Sequence, residues 1–377
     1  MTFGKLKKLA LAGAISLMAA GTAEAAKEVR VTIGAPGKHP TVSHGWNPYV
    51  EAVEKATNGS LKFRLFLSGS LIPLKATLSG VRDGAADIGL AALLYYPGEL
   101  PHAKLLADLA LLGTDNTVMA GASSEFNLLH CADCQAEFAA QGFVYNGTYA
   151  TPPFRLITKG KVTTVEDLKG MKIRVAGTAW TRWANHFGAV TVSLPANEMF
   201  EGLNQGVIDA AIQASSALRS FSLWDVAKGI TMVPLGTSHS ISLIGANRGF
   251  WKGLTLAERT AMIDHASLAI AGTVVRYNEL DEQVIASAGA HGVTVHQPSA
   301  ELLAESRNFA RADLATVAKE NEGARGLTDV KAKIDRFVEL VRKWDKLATP
   351  VRGDVAKLSA LYKREIFDKL DPKTHGM

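Results

Sequence analysis

Two stretches of the chain, residues 29–91 and 172–213, follow the same order of predicted elements. Each begins with an apolar strand that ends at a glycine-containing turn, continues through a helix, a second strand and a second helix, and closes with a short apolar strand. The sharpest overlap is between VRDGAADI at residues 81–88 and LNQGVIDA at residues 203–210, where a helix ends at a glycine and an aspartate follows three residues later. Strands that alternate with helices form a parallel sheet covered on both faces, so the repeat predicts two similar α/β lobes.

The order of predicted elements also indicates where a ligand would bind. Open parallel sheets hold ligands at the carboxyl ends of their strands, and two such sheets that face each other enclose a cleft, the usual place for a small molecule. After residue 232 the pattern becomes largely helical, without a Pro- or Gly-rich linker that would separate an independent domain. We expect these late helices to run across and brace the two lobes, and we place them at residues 255–271, 274–289, 300–319 and 328–347.

The N-terminal segment has the three-part layout of a secretory signal peptide. Three lysines precede an apolar run over residues 9–20, and AEA at residues 23–25 gives the small-x-small pattern of a cleavage site. The run is too short for a membrane anchor, which needs about twenty apolar residues. We expect residues 1–26 to be removed, with cleavage after Ala25 or Ala26; the loss of three lysines and one glutamate lowers the net charge from +5 to +3. No later segment is long and apolar enough to span a bilayer, so the sequence predicts a periplasmic protein without stable membrane insertion.

Composition excludes several classes of protein. Of the 377 residues, 47% are hydrophobic and 20% charged, which excludes a disordered chain and supports a large packed core, most simply two lobes of ordinary domain size. The sequence pI is near 9.0, yet the basic residues are scattered and form no cluster with aromatic residues, so no nucleic-acid partner is expected. Two cysteines exclude a disulfide-rich scaffold. ATP and reduced nicotinamide are scarce outside the inner membrane, which disfavours kinases and dehydrogenases.

The sequence contains no motif that would carry catalysis. It lacks G-x-S-x-G, H-E-x-x-H, a phosphate-binding P-loop and a G-x-G-x-x-G that opens a helix. Of ten histidines only His39 and His44 lie close together, on a predicted loop, and neither cysteines nor clustered carboxylates accompany them. We therefore expect these two to be surface residues, and we expect no metal, no cofactor and no enzymatic activity.

Cys131 and Cys134 form a C-x-x-C motif that has three interpretations. A redox-active dithiol needs a low-pKa cysteine at a helix N-terminus, whereas this motif falls late in a helical stretch predicted over residues 119–140. A metal site needs two more ligands, which the sequence does not show. In an oxidising compartment a local disulfide is the interpretation that we favour.

Recognition of a ligand by side chains at strand ends is the chemistry that remains. Arg174 lies near the carboxyl end of the first strand of the second lobe, where its guanidinium offers two parallel donors matched to a carboxylate; a structural ion pair with a nearby acid is the alternative. Arg155, on the run into the second lobe, is either a second donor or a solvated surface residue. Aromatic residues at strand or helix edges either wall a pocket or pack in the core, and they are Trp46, Tyr95, Tyr96, Tyr149 and Trp180.

Several segments resemble one family when they are taken in order. The most specific is TVEDLKGMKIRV at residues 164–175. The others lie at residues 53–59, 80–87, 188–189, 198–209 and 247–251. Together they cover most of the chain, and they resemble the extracytoplasmic solute-binding subunits of tripartite ATP-independent periplasmic (TRAP) transporters, the DctP-like family.

This resemblance implies a type II periplasmic-binding fold, in which two α/β lobes enclose a ligand cleft and a long helix bridges them. We place lobe I at residues 27–148 plus about 237–275, and lobe II with the C-terminal helices at residues 149–236 plus about 276–377. The resemblance also implies that Arg174 matches the arginine that clamps the carboxylate of the ligand. The ligand would be a small organic acid, handed to membrane permease subunits driven by an ion gradient.

The chain departs from the pattern of the family in the segment that helps set specificity. Residues 210–216 are AAIQASS, without the common Glu-Asn pair, so a C4-dicarboxylate is not assigned and an aromatic or branched monocarboxylate stays open. Gln213 in this segment is the expected hydrogen-bonding partner of the ligand. A sensory binding protein and an acid-processing enzyme on the same fold are the alternatives to a transport receptor.

Overall fold

The computed structural model describes residues 26–323 and 326–377. The predicted signal peptide, apart from Ala26, lies outside the described residues. The strands are β1 (Lys27–Thr32), β2 (Leu61–Phe66), β3 (Ile88–Ala92), β4 (Phe143–Tyr145), β5 (Thr148–Tyr149), β6 (Arg155–Thr158), β7 (Lys172–Val175), β8 (Val190–Ser193), β9 (Ala210–Gln213), β10 (Gly229–Thr231), β11 (Ile241–Asn247) and β12 (Thr294–His296). The α-helices are α1 (Asn47–Ala56), α2 (Thr77–Arg82), α3 (Pro101–Asp108), α4 (Asn116–Glu125), α5 (Ala132–Ala140), α6 (Thr178–His186), α7 (Met199–Asn204), α8 (Ala217–Ser220), α9 (Arg248–Lys252), α10 (Leu256–Ser287), α11 (Ala300–Gly323), α12 (Val330–Ala348) and α13 (Val355–Glu365).

The strands form two sheets with the same internal order. The first runs β2-β1-β3-β11-β4, with β5 also paired to β11, and the second runs β8-β7-β9-β6-β10-β12. In each sheet the first strand of the repeat lies between the second and third strands and is parallel to both. The repeat in the sequence therefore corresponds to a repeat in the structure, and the prediction of two α/β lobes is confirmed.

The strands of the repeat are parallel, as predicted, but further strands make both sheets mixed. Strand β11 is antiparallel to β3 in the first sheet, and β6 is antiparallel to β9 in the second. Parallel neighbours need a crossover connection, which the helices of the repeat provide. Strands β11 and β6 instead enter their sheets directly from the other lobe, where no such crossover fixes their direction.

A single long helix, α10, spans both lobes. The sequence suggested two helices that divide near Gly272, but the structure has one helix of 32 residues, about 48 Å long at the standard rise per residue. Thr255 caps its N-terminus in a capping box with Glu258. Near the other end, Asp281 Oδ1 accepts a hydrogen bond of 2.7 Å from the backbone N–H of Ser216 in the second lobe. This is the bridging helix that the family resemblance implies.

The C-terminal helices pack on the first lobe. Trp344 of α12 donates its indole N–H to Glu125 of α4 at 2.7 Å, and Tyr362 of α13 donates its hydroxyl to the carbonyl of Thr117 at 2.6 Å. The predicted boundaries grouped residues 276–377 with lobe II. These contacts differ from that grouping for α12 and α13, because the apolar faces of these helices are covered by α4 and α10. The other lobe boundaries stay a prediction.

The C-x-x-C motif begins a helix instead of lying late in one. Helix α4 continues as one π-helical segment, Phe126–His130, and the chain then breaks at Cys131, which is the N-cap of α5. The expectation of an unbroken helix over residues 119–140 is therefore wrong. The Cys131 and Cys134 sulfurs are bonded in the structure, and both residues are buried, which separates this disulfide from the solvent contact that a redox-active dithiol requires.

Candidate ligand-binding site

A cavity lies in the cleft between the two sheets. It holds about 570 Å³ of empty space, mouth included. The first lobe contributes Tyr95 and Tyr149, the second lobe contributes Arg174 and Gln213, and α10 contributes Tyr277. Four of the eight residues that the sequence nominated for ligand binding therefore line one cavity: Tyr95, Tyr149, Arg174 and Gln213.

Arg174 is completely buried, with 0% of its surface exposed. It belongs to β7, between β8 and β9. Its Nε donates to the carbonyl of Leu194 at 2.9 Å and its Nη1 to the carbonyl of Ile212 at 3.2 Å. Its Nη2 reaches the hydroxyl of Tyr95, 3.4 Å away on the other lobe. These contacts fix the plane of the guanidinium and leave two of its five N–H groups without a protein acceptor in the described part of the chain.

Arg174 has no acidic partner among the residues that the structure describes. None of the ion pairs found in residues 26–323 and 326–377 includes it, and burial lowers the pKa of its guanidinium. An arginine nevertheless stays charged in proteins, and a buried charge without a counter-ion costs several kcal/mol. The structural ion pair considered as the alternative role is thus not found in the described residues, and the cavity is prepared for an anion.

Gln213 brings a second donor to the same strand ends. It closes β9 beside β7, and its side-chain oxygen accepts a hydrogen bond of 3.0 Å from the backbone N–H of Ala214. Because the oxygen is used in this way, the amide NH₂ is the group left to meet a ligand. Guanidinium and amide donors at neighbouring strand ends suit the two oxygens of a carboxylate.

The walls of the cavity are aromatic. The rings that line it belong to Tyr95, Tyr149, Phe154, Phe221 and Tyr277. Tyr149 and Tyr277 are nearly parallel, with ring centroids 6.4 Å apart and an interplanar angle of 20°. Leucine, isoleucine and alanine side chains cover most of the remaining surface. Apart from Arg174, no lining residue in the described part of the chain is an aspartate, glutamate, lysine or arginine.

Four of the nominated residues lie outside the cavity. Tyr96 is buried, and its hydroxyl donates to the carbonyl of Leu74 at 3.2 Å. Trp180 stacks behind Phe154 at 4.8 Å and donates its indole N–H to the carbonyl of Leu235. Trp46 is buried in the core of the first lobe against Tyr49. Arg155 is partly buried, and its Nη1 donates to the backbone carbonyl of Phe154 at 3.1 Å. All four are at element edges, as expected, but none of them lines the cavity.

His39 is a cavity residue that the sequence analysis placed on the surface. It is buried, and burial lowers its pKa to about 3. Its Nδ1 accepts a hydrogen bond from the backbone N–H of Thr41 at 3.2 Å, which assigns the proton to Nε2, 3.2 Å from the hydroxyl of Tyr277. The position of His39 just after β1 was the available signal, since Arg174 was found by the same rule on β7. His44 is exposed, as expected.

Other lining residues gave no local signal in the sequence. Phe154, Thr151 and Ser238 lie on the two segments that cross between the lobes, and Tyr277 lies in the middle of α10. Their place in the cavity depends on how the lobes face each other. No group of three or more histidine, cysteine, aspartate or glutamate side chains in residues 26–323 and 326–377 is arranged to hold a metal ion.

Two α/β lobes that enclose a buried, anion-ready cavity, joined by two crossing segments and a long helix, define a solute-binding protein of the periplasmic-binding fold. No helix in the described part of the chain is both long and apolar enough to cross a membrane. The model of the bacterial extracellular solute-binding protein family 7, DctP, matches residues 34–321. The chain belongs to this family.

Two relatives illustrate the similarity in sequence. A solute-binding protein from Albidiferax ferrireducens is 29% identical over 184 residues, which are 48% of this chain and 53% of that protein. A solute-binding protein from Verminephrobacter eiseniae is 27% identical over 298 residues, which are 77% of this chain and 85% of that protein. The first match thus spans about half the length of its relative.

Two solved structures illustrate the similarity in fold. A TRAP solute-binding protein from Rhodoferax ferrireducens T118, in complex with copurified benzoate, superposes with a TM-score of 0.76 at 19% identity, covering 85% of this chain and 99% of that one. A marine metagenome TRAP solute-binding protein specific for aromatic acid ligands, in complex with 3-hydroxybenzoate, superposes with a TM-score of 0.75 at 22% identity, covering 85% of this chain and 99% of that one. At these identities the likeness establishes the fold.

Proposed function

We propose that this protein is the periplasmic receptor of a TRAP transporter, which binds a small organic acid in its cleft and delivers it to membrane permease subunits. The observation that carries the proposal is Arg174, a buried guanidinium that faces the cavity without a counter-ion in the described residues. A carboxylate in the cavity would supply the missing charge, with Gln213 as a further donor. Membership of the family supports the transport role and the periplasmic location.

We infer that the ligand is an aromatic monocarboxylate. Arg174 is the one charged side chain among the described residues that line the cavity, so a second carboxylate would be buried without a cation. His39 does not replace such a cation, because its lowered pKa of about 3 keeps it neutral at physiological pH. The five aromatic rings of the walls suit a flat apolar ligand. Benzoate and 3-hydroxybenzoate in the two similar structures are in line with this choice.

Binding would close the lobes around the acid. Arg174 comes from the second lobe and Tyr95 from the first, and their side chains meet across the cleft. A ligand that contacts both lobes gains its full set of contacts only when the cleft is shut, so it favours the closed form. Permease subunits would then recognise the closed receptor.

The lining of the cavity favours binding over catalysis. A general base works best with a pKa near the operating pH, whereas burial holds the pKa of His39 at about 3 and a hydrogen bond from Thr41 occupies its Nδ1. No carboxylate side chain is among the described lining residues. An acid held by Arg174 would therefore leave the site unchanged.

Replacement of Arg174 tests the proposal. Leaving the carboxylate without its partner should cost about 2–5 kcal/mol, so Arg174→Ala should weaken the binding of benzoate roughly thirty-fold to a few thousand-fold in isothermal titration calorimetry. Arg174→Lys keeps the positive charge but loses the paired N–H donors of the guanidinium, so its affinity for benzoate should lie between those of the wild type and Arg174→Ala. Arg64→Ala, at an exposed position on β2, is the matched control and should bind like the wild type.

A neutral ligand completes this experiment. Benzamide has the ring of benzoate without the charge, and it should give no thermal shift, whereas benzoate at a hundred times its dissociation constant should add about 2.7 kcal/mol of stability. Benzamide that binds as tightly as benzoate, or an Arg174→Ala variant within threefold of the wild type, would overturn the carboxylate assignment.

A further inference from the structure

We infer that the hydroxyls of Tyr149, Thr151 and Ser238 form a second polar site, which binds a neutral hydroxyl or carbonyl oxygen on the ligand while Arg174 holds the carboxylate. This inference rests on the proposed function and names the substrate class more narrowly: an aromatic acid that carries an oxygen substituent. We call the three hydroxyls the floor site, because they belong to the strand and the two crossing segments at the base of the cleft.

The backbone fixes the position of the floor site. The N–H of Thr151 donates to the carbonyl of Ser238 at 3.0 Å, and the N–H of Ser238 donates to the hydroxyl of Thr151 at 3.0 Å. Tyr149 precedes them on β5, which pairs with β11. The two crossing segments are therefore bonded to each other, and the three residues all line the cavity.

The hydroxyl of Tyr149 has no hydrogen-bond partner within the described part of the chain. Tyr149 is 5% exposed and lines the cavity, yet none of the hydrogen bonds found in residues 26–323 and 326–377 uses its hydroxyl. Burial raises its pKa, so it is a neutral phenol with one proton to donate and lone pairs to accept. Buried polar groups are almost always hydrogen-bonded, and a ligand oxygen is the partner that the cavity can supply.

The hydroxyls of Thr151 and Ser238 can also form further hydrogen bonds. The oxygen of Thr151 accepts from Ser238, which leaves its proton free to donate, and the hydroxyl of Ser238 makes no hydrogen bond within the described residues. By contrast, Tyr277 beside Tyr149 already has a partner in His39. The spare groups are thus concentrated at Tyr149, Thr151 and Ser238. A binding site built to hydrogen-bond an oxygen rejects an analogue that lacks it, because its buried polar groups are then left unpaired.

A double-mutant cycle between protein and ligand tests the floor site. Benzoate, 3-hydroxybenzoate and 4-hydroxybenzoate are titrated into the wild type and into Tyr149→Phe. The wild type should bind at least one hydroxybenzoate ten-fold or more tightly than benzoate. In Tyr149→Phe this ratio should fall to below threefold. Tyr145→Phe, a buried tyrosine of the same lobe outside the cavity, is the matched control and should keep the ratio of the wild type.

The outcomes separate the two proposals. Benzoate that binds through Arg174 with a ratio independent of Tyr149 would overturn the floor site alone. Equal weakening of all three acids by Tyr149→Phe would place this hydroxyl on the carboxylate, which also overturns the floor site. No binding of any of the three acids to the wild type would overturn the aromatic ligand and the floor site together. Should Tyr149→Phe fail to fold, Ser238→Ala in the same titrations decides the question by the same ratio.

Discussion

His39 and His239 are buried in the folded protein, and burial lowers their pKa values to about 3 and about 4. His39 is held by Thr41 and Tyr277, and His239 contacts Thr237 through its Nδ1 and stacks on Phe337. In the unfolded chain both would titrate near 6.5. Below that pH the unfolded state binds more protons than the folded state, so acid favours unfolding.

We predict that the free energy of unfolding falls as the pH drops from 7 to 5. Burial also lowers the pKa of His375 to about 4, and each of these three histidines should remove about 2 kcal/mol over this range. Asp281 acts in the opposite direction, because burial raises its pKa to about 6. Its protonation in the folded state should add about 1 kcal/mol to the free energy of unfolding over the same pH range. Urea denaturation at pH 7, 6 and 5 measures the net loss of stability.

His239→Gln identifies the source of this pH dependence. The variant should lose about a third of the histidine contribution, whereas His44→Gln, which replaces an exposed histidine, should change the pH profile much less. A profile of His239→Gln that parallels the wild type would show that the buried histidine does not titrate as described.

The residues of the cavity also show how far single positions can be predicted from sequence. Arg174 was found by the rule that strand ends face the cleft, whereas Gln213 was found because it lies in the segment that helps set specificity in the family that the chain resembles. The same rule applied to β1 would have found His39, which was instead judged from its loop and its lack of metal-ligating neighbours. Trp46 and Trp180 were nominated for their size and position, but large rings at element edges are equally suited to the core, and sequence alone does not give the direction of a side chain.

At the scale of elements, α10 depends on close contact with the first lobe. A Cβ at Gly272 would overlap the backbone carbonyl oxygen of His44, and a Cβ at Gly45 would overlap the hydroxyl of Thr273. The helix and the segment Thr41–Trp46 thus touch backbone to backbone. Since Gly272 is in the middle of a helix, where glycine is intrinsically unfavourable, its presence reflects this contact and not the needs of the helix.

We predict that Gly272→Ala destabilises the protein by about 1–3 kcal/mol, the usual cost of overpacking, despite the higher helix propensity of alanine. Chemical denaturation measures the change. Gly289→Ala is the control, because a Cβ there meets no atom within 4 Å, and its effect should stay within about 0.5 kcal/mol. An increase in stability for Gly272→Ala would contradict the close approach of helix and segment.

The elements of the repeat were predictable because their signals are local. Residues 29–91 and 172–213 each carry their own strands, caps and glycine turns, and the structure has the elements in that order. The antiparallel strands β6 and β11 were not predictable, since their direction is set by the path of the chain through the other lobe. The continuity of α10 was not predictable for a similar reason. By local rules Gly272 favours the end of a helix, whereas in the structure this glycine is explained by the close contact with His44.

At the scale of the whole molecule, the cleft is shut. Arg174 has no exposed surface, and the lobes touch at the mouth, where the ammonium of Lys38 donates to the hydroxyl of Ser222 at 2.6 Å. The first lobe also covers the guanidinium directly, because the hydroxyl of Tyr95 contacts it at 3.4 Å. The lobes must therefore separate before a ligand enters or leaves.

We predict that benzoate shifts the protein toward a more compact average shape, because closed molecules are favoured by contacts to both lobes. Small-angle X-ray scattering should give a smaller radius of gyration with saturating benzoate than without it. Arg174→Ala at the same benzoate concentration should scatter like the unliganded wild type. Identical curves for the wild type with and without bound benzoate would contradict a mechanism of opening and closure.

The manner in which the chain passes between the lobes limits this movement. Two segments cross side by side, with Thr151 bonded to Ser238 and Phe154 bonded to Gly236 and Leu235, and α10 forms a stiff third connection. Three connections of this kind allow the lobes to rotate about one hinge axis and oppose twisting or sliding of one lobe against the other. Ligand binding is thereby coupled to one movement, the opening and closing of the lobes. A pair of fluorophores, one on each lobe, would report two distinct distances rather than a continuous range of distances.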